Sequence, residues 1–261
     1  MTKNRGPNAF NEYFENIYGA RWPMLLAALA PPIKFYDLVS PINGKIYHLD
    51  EASVLAARAL PRKKGDRVLD MCSAPGGKAL AMLFEADASQ SFVLNERSAT
   101  RRARLSRVLS EFLGDAHPFS IKVTGHDATK WGLYEKDAYD AILLDAPCSS
   151  ERHLLEKPEL IKQWSPHRTK TLAIQQFAML AAACAAVKKE GYILYATCSI
   201  SPLENDDVID KLFKKRDGFR VTPIQFEKGE PTKHGWIFLP DACKAGPLYL
   251  CLIQKVSSSH A

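Results

Sequence analysis

One stretch limits what this chain can become: Val68-Leu69-Asp70-Met71-Cys72-Ser73-Ala74-Pro75-Gly76-Gly77-Lys78. An aliphatic run ends in an aspartate, passes through a turn of small residues and enters an apolar helix. Residues 67–71 have the length and composition of a buried strand, and Lys64-Gly65-Asp66 before them is turn-like. Gly76 and Gly77 permit backbone angles, and a close ligand approach, that a Cβ would obstruct. The helix entered at Lys78 would aim its unpaired N–H groups into the turn, a place suited to a carboxylate or another anion. A nucleotide-like cofactor lying across the end of the strand is one reading. An ordinary strand–turn–helix joint is the other.

The pattern downstream favours the first. Candidate strands at 68–71, 92–95, 121–124, 141–144 and 193–196 alternate with helical stretches at 78–85, 99–112, 170–187 and 203–215. Such alternation predicts a parallel sheet with helices on both faces. A last strand at 248–254, with 236–239 as its partner, predicts an antiparallel pair at one sheet edge. Sheets of this kind place their chemistry where strands end. Here the five strands run into Asp70-Met71-Cys72, Asn95-Glu96, Gly125-His126-Asp127, Asp145-Ala146-Pro147-Cys148 and Thr197-Cys198-Ser199. Glu96 lies where an acid reaching a ribose hydroxyl would sit. Asp127 and Asp145 taken singly could equally be caps, but the whole set converging on one edge points to a cofactor site.

Ahead of the sheet, residues 1–60 read as a helical extension, 61–256 as the main domain and 257–261 as a frayed tail. Phe10, Tyr13, Phe14, Ile17 and Tyr18 fall at helical spacing, an aromatic stripe better suited to a core than to nucleic acid. A second apolar helix at 24–29 stops at Pro31-Pro32, a looser stretch with the turn-forming Asn43-Gly44 follows, and Asp50 can cap a helix at 51–60. A formal charge of +6 suits a polyanionic partner without proving one. No apolar run is long enough to span a bilayer, and no signal peptide is evident, so a cytoplasmic location with reduced thiols is expected.

Six cysteines, none in a Cys-x-x-Cys pair, do not suggest a metal site. Cys184 in an Ala-rich helix and Cys251 in the last strand read as small buried hydrophobes. Cys148 and Cys198 differ, because each follows an irregular turn after a central strand and both could face one crevice. A thiolate near basic groups is a strong nucleophile. C5 of cytosine is a weak one, and thiolate addition at C6 makes it electron-rich. C5 can then take a methyl group, after which a base removes the C5 proton and the thiolate leaves. One cysteine for attack and a second for resolution would suit those steps. Spacing alone does not decide between that chemistry and two core thiols.

These residues resemble the RNA cytosine-5 methyltransferases of the Sun-domain type, which use S-adenosylmethionine. Cys72-Ser73-Ala74-Pro75-Gly76-Gly77-Lys78 is similar to their cofactor loop, and Asp145-Ala146-Pro147-Cys148-Ser149 and Thr197-Cys198-Ser199 to their two cysteine motifs. Gln175, Gly191 and Glu204-Asn205 fall where the family has the same residue types, and the match runs from about Tyr47 to the C-terminus. The resemblance implies a Rossmann-like class I methyltransferase with a seven-stranded, mostly parallel sheet. It implies that Cys198 attacks C6 and that Cys148 assists product release. It also implies that Cys72, Ser73, Ala74, Pro75, Gly76, Gly77, Lys78, Glu96, Asp127 and Asp145 hold the cofactor. Asp145 and Lys78 stay open between the cofactor and the flipped base, and Arg101 between a family basic position and a solvated helix face.

Ala79 stands where the family usually has Thr, and no separate RNA-binding domain is expected beside the catalytic one. The Phe10-to-Pro23 segment and Ser150-Glu151-Arg152-His153 resemble the compact mitochondrial ribosomal-RNA branch. That implies ribosomal RNA in preference to transfer RNA, with a protein partner or a preassembled ribosomal particle to present it. Basic clusters at Arg97, Arg101 and Arg104, at Arg62-Lys63-Lys64 and at Lys214-Lys215-Arg216 are candidate phosphate contacts or solvated surface.

Overall fold

A computed structural model describes residues 5–31, 34–114 and 117–256. The expected tail at 257–261 and Pro32 lie outside these. The chain opens with α1 (Pro7–Tyr18) and α2 (Trp22–Leu29), each with a proline in its first turn, where the missing N–H costs nothing. The aromatic stripe is core: Phe10 meets Trp164 edge-on at 5.2 Å and Phe14 stacks on Trp22 at 5.1 Å.

The next segment departs from the helical extension expected there. Residues read as loose form an antiparallel hairpin, β1 (Phe35–Val39) and β2 (Ile46–Asp50), closed by a turn in which Gly44 takes φ 72°. Only Leu38 of β1 is buried, so the polar–apolar alternation that marks a strand is missing from the sequence. Asp50 then caps α3 (Glu51–Ala59), its carboxylate accepting from the Ala52 N–H at 2.8 Å.

Strand and helix alternate from there: β3 (Arg67–Asp70), α4 (Gly77–Leu83), β4 (Ser91–Asn95), α5 (Ala99–Leu113) and β5 (Ser120–Thr124). α6 (Trp131–Tyr134), β6 (Tyr139–Asp145), α7 (Glu151–Leu155), α8 (Pro158–Ile161), α9 (Pro166–Ala186) and β7 (Val187–Thr197) follow. α10 (Asp206–Lys215), β8 (Phe219–Thr222), β9 (Glu230–Pro231), β10 (Trp236–Phe238), α11 (Pro240–Cys243) and β11 (Leu248–Lys255) complete the chain. All five expected parallel strands are present, in the order β5-β4-β3-β6-β7.

The sheet is wider than the seven strands expected, because β8 and β9 bring it to nine. β11 is also not its edge: β7 flanks one side antiparallel, and β10 and β8 share the other. β8 is half-buried and β9 has two residues, too little pattern to read from sequence.

Period-two alternation divides the core. Ile142 and Leu144 face the layer of α1, α2, α9 and α10, while Ala141 and Leu143 face that of α3, α4 and α5. Strand order reverses between β3 and β6, so the crevice opens where Asp70 and Asp145 end their strands.

Candidate active site

Side-chain bonds hold the turn after β3. The buried Asp70 carboxylate accepts from the Cys72 N–H at 3.2 Å, and the Ser73 hydroxyl donates to the Asp70 carbonyl at 3.0 Å. Asn95 stitches three strand ends together, donating to the carbonyls of Met71 at 3.0 Å and His126 at 3.1 Å. Burial, then the nearby Asp145 charge, push the Asp70 carboxyl up to about 7. Burial, with Asp70 second, holds the Cys72 thiol well above its ordinary range, so Cys72 is no nucleophile.

Gly76 sits at φ 119° at the N-terminus of α4, and no side chain caps that end. The N–H groups of Gly77, Lys78 and Ala79 therefore face the turn unserved by the helix. Gly76 takes the positive φ expected of a glycine there, and both glycines also make room for neighbouring elements. A Cβ on Gly76 would meet Val108 at 3.0 Å, and one on Gly77 would meet Leu49 at 2.6 Å. The close approach they allow is that of α5 and of β2, not directly of a ligand.

Around the turn stand the acidic candidates. Glu96 is buried, accepts from the Ser98 N–H at 2.8 Å and faces Arg101 at 3.4 Å. Arg101 also donates to the Ala74 carbonyl at 2.8 Å, so this exposed side chain also ties the turn to Glu96. Asp127 caps a one-turn helix through Thr129, which holds its carboxyl below the usual range, and meets Arg97 at 3.4 Å. Because Ser98 caps α5, Arg97 precedes the helix and does not share a face with Arg101 and Arg104. An open helix N-terminus, ringed by Asp70, Glu96, Asp127 and Asp145, fits a cofactor with both a carboxylate and hydroxyl or amine donors.

The two cysteine turns meet beside it. Cys148 and Cys198 come within 2.8 Å, sulfur to sulfur. Their acidities part: the hydrogen bond from Cys148 holds Cys198 below the ordinary thiol range, with Ser150 and the Lys78 charge helping against burial. The same bond and burial push Cys148 well up. Cys198 is thus the more acidic of the two thiols. Lys78 donates to Asp145 at 2.8 Å; burial alone would lower the ammonium, but the ion pair outweighs it and keeps Lys78 charged.

Beneath both turns lies a buried polar knot. Glu204 accepts from the Ser149 N–H at 3.0 Å and from Gln176 at 2.7 Å; Gln176 also donates to the Pro147 carbonyl at 2.9 Å. The glutamine that touches the site is therefore Gln176, while Gln175, one position earlier, is exposed. Glu151 accepts from the Ile200 N–H at 3.1 Å, and the Ser149 and Ser199 hydroxyls bridge the two carboxyls. Burial, with Glu204 next to it, raises Glu151 to about 7.

Over Cys198 opens a cleft of about 260 Å³, lined among others by Lys78, Asp50, Arg152, His153 and Pro247. Arg152 binds the Pro31 carbonyl at 2.5 Å and the Gly246 carbonyl at 3.1 Å, and the Asp50 carboxylate accepts from the Gly246 N–H at 3.1 Å. Sequence reasoning saw Asp50 only as a cap and Arg152 only as part of a resemblance. Nothing local marks four distant segments as neighbours.

The match to known proteins fits this geometry. The family model described as 16S rRNA methyltransferase RsmB/F covers residues 57–254. This chain belongs to that family. It is 36% identical to the 5-cytosine rRNA methyltransferase NSUN4 of Bos taurus over 69% of its length and 48% of the relative's. It is 32% identical to the mitochondrial tRNA (cytosine(34)-C(5))-methyltransferase of Mus musculus over 83% of its length and 65% of the relative's. The chain spans about half the length of the first curated relatives it matches. Among solved structures, a methyltransferase homologue from Pyrococcus horikoshii superposes with a TM-score of 0.78 at 19% identity, covering 96% of this chain and 95% of that one. NSun6 of the same organism, solved with SFG, gives 0.72 at 24% over 85% of this chain and 57% of that one. At those identities the likeness shows the fold. Among the described residues no helix is long and apolar enough to cross a membrane.

Proposed function

We propose that this RsmB/F member methylates C5 of cytosine in RNA, using S-adenosylmethionine, through a covalent bond between Cys198 and C6. The observation that carries it is the pair of touching, oppositely polarised thiols beside Lys78 and Asp145 at the floor of a cleft. In this reading the turn 72–78 with Glu96, Asp127 and Asp145 holds the cofactor, which when bound supplies an electrophilic methyl group. The Cys198 thiolate adds to C6, and the electron pair displaced from the C5–C6 double bond makes C5 nucleophilic. After C5 has gained the methyl group, solvent water takes the C5 proton, the C5–H electron pair re-forms the double bond and Cys198 leaves as thiolate with the C6–S pair. Cys148, holding its proton at neutral pH, assists that release. Lys78 charges the site in favour of thiolate, and Asp145 orients Lys78. The target base must leave its stack to enter, at a cost of roughly a few kcal/mol.

Ribosomal RNA is the favoured substrate, because the family description and the NSUN4 relatives name it. Transfer RNA is the second reading, favoured by a relative aligned over 83% of this chain. A preassembled ribosomal particle or a protein partner is proposed to present the site. A reducing compartment such as the cytoplasm suits two thiols that must stay reduced.

Bisulfite sequencing of total RNA from cells with and without the gene tests the reading. One protected cytosine in ribosomal RNA should be lost without it and restored by the wild type but not by Cys198→Ala, whose activity should fall at least about a thousandfold. Loss in transfer RNA instead would move the substrate. An unchanged pattern in every RNA would sink the proposal. Cys148→Ala should retain a covalent RNA adduct visible on a denaturing gel.

A further inference from the structure

Beside the cleft lies a second depression, of about 490 Å³, that the catalytic reading does not use. Lys34, Phe35, Tyr36, Glu51, Lys228 and Lys244 line it. Its two aromatic rings are unusually bare: Phe35 is 58% exposed and Tyr36 38%. The Arg58 guanidinium lies 5.9 Å from the Tyr36 ring centre. Lys228 is paired with Glu51 at 2.8 Å, whereas among the described residues Lys34 and Lys244 have no carboxylate within ion-pair reach. Three ammonium groups against one carboxylate leave the groove cationic.

The groove and the Cys198 cleft share both walls. Asp50 lines the cleft and the next residue, Glu51, lines the groove; Gly246 lines the cleft and Lys244, two residues earlier, lines the groove. The bond from the Gly246 N–H to Asp50 holds the two walls together at their junction. A polymer whose one base is turned into the cleft therefore continues over this surface. Exposed aromatic rings interleaved with cations are what a single strand of nucleic acid requires, bases stacking and phosphates pairing.

We propose that this groove binds the single-stranded RNA flanking the target cytosine, Phe35 and Tyr36 stacking on its bases and Lys34, Lys228 and Lys244 meeting its phosphates. The proposal deepens the RNA reading above and rests on it. The hairpin β1–β2 is then the substrate platform of a chain whose sheet serves the cofactor. An acidic protein surface is the competing occupant, but exposed aromatic rings beside a base-sized cleft favour nucleic acid.

The test uses the full chain, a labelled 12-nucleotide single-stranded RNA with one central cytosine, and three variants. These are Phe35→Ala, Lys34→Ala and Lys244→Asn, the last chosen because Lys244 sits at φ 56°, which asparagine tolerates. All three side chains are exposed, so folding should be kept, and a thermal melt checks it. Phe35→Ala should weaken binding about 5- to 150-fold, the range for one stacked base. Each lysine change should lower the slope of log affinity against log salt by about 0.7, the value for one phosphate on a single strand. With total RNA from cells lacking the gene as acceptor, the same variants should raise KM and leave kcat at saturating RNA unchanged. Unaltered affinity and salt slope in all three would overturn the groove and leave this face to a protein. Failure of the wild type to methylate any RNA would sink the catalytic reading separately, since the binding measurement still decides the groove.

Discussion

The turn after β3 and the cleft over Cys198 share Lys78 and are built in opposite ways. The turn takes most of its shape from one continuous stretch, in which Asp70 and Ser73 bond to neighbours two and three positions away, and the side chains of Asn95 and Arg101 reach it from 24 and 27 positions on. The cleft is assembled from the start of α3, the cysteine turns, α7 and the Gly246-Pro247 loop, held by Arg152, Asp50 and the Glu151–Glu204 knot. A local motif survives changes elsewhere in the chain, while an assembled one is only as sound as its ties. Substitutions that strike one half and spare the other measure that difference.

The largest effect should come from the residue the halves share. Lys78→Met removes the positive charge beside Cys198 and leaves Asp145 unpaired. The thiol then titrates at higher pH, and the rate at neutral pH should fall about tenfold for each unit of that rise. A pH–rate profile moved to alkaline pH is the expected sign. An unmoved profile would confine Lys78 to the turn.

Glu204→Ala strikes the cleft alone. It strands the Ser149 N–H and the Gln176 amide in the interior, at a cost of about 2–4 kcal/mol. Tm should fall by about 5–15 °C in a thermal melt, with methyl transfer falling further than cofactor affinity. Equal losses in both would show that the knot supports the turn as well.

Gly77→Ala strikes the turn where it is least local, since the new Cβ would press on Leu49 of β2. Overpacking of this kind costs about 1–3 kcal/mol. Calorimetry of cofactor binding beside a melt reads it. A stability loss with binding kept would place the strain in the hairpin.

The smallest signal is a slope. Glu151 and Asp70 hold folded-state values of about 7, above their ordinary 4.5 and 3.8. The folded protein keeps protons that the unfolded chain has released, so each group lowers stability as pH rises from about 4 to about 7. Above that the effect is level. The slope is bounded by about 1.4 kcal/mol per pH unit for each proton. Urea melts across pH 4 to 8 should show Glu151→Gln removing the cleft's share and Asp70→Asn the turn's. A slope untouched by both would mean that neither carboxyl is protonated at neutral pH.

Much of the sheet could be read from composition and period, because β3 to β7 are buried runs ending in acids or cysteines. The hairpin could not, since only Leu38 of β1 is buried and its exposed residues mix Phe35 and Val39 with the Asp37–His48 pair, so no alternation marks a strand. Gln176 was missed in favour of Gln175 because helix register, not residue type, decides which glutamine turns inward. Arg101 could not be assigned until Ala74 and Glu96 were seen on either side of it.

By itself the sequence determined the strand–helix order, the family, and which residues end the central strands, because those follow from nearest-neighbour sterics and apolar period. Only the tertiary structure decided that Cys148 and Cys198 touch, that Cys198 is the more acidic of the two, and that Asp50, Arg152 and Gly246 wall one cleft. Contact and acidity depend on distances between segments up to about two hundred residues apart, as from Asp50 to Gly246. Those distances exist only once the core of both faces has closed.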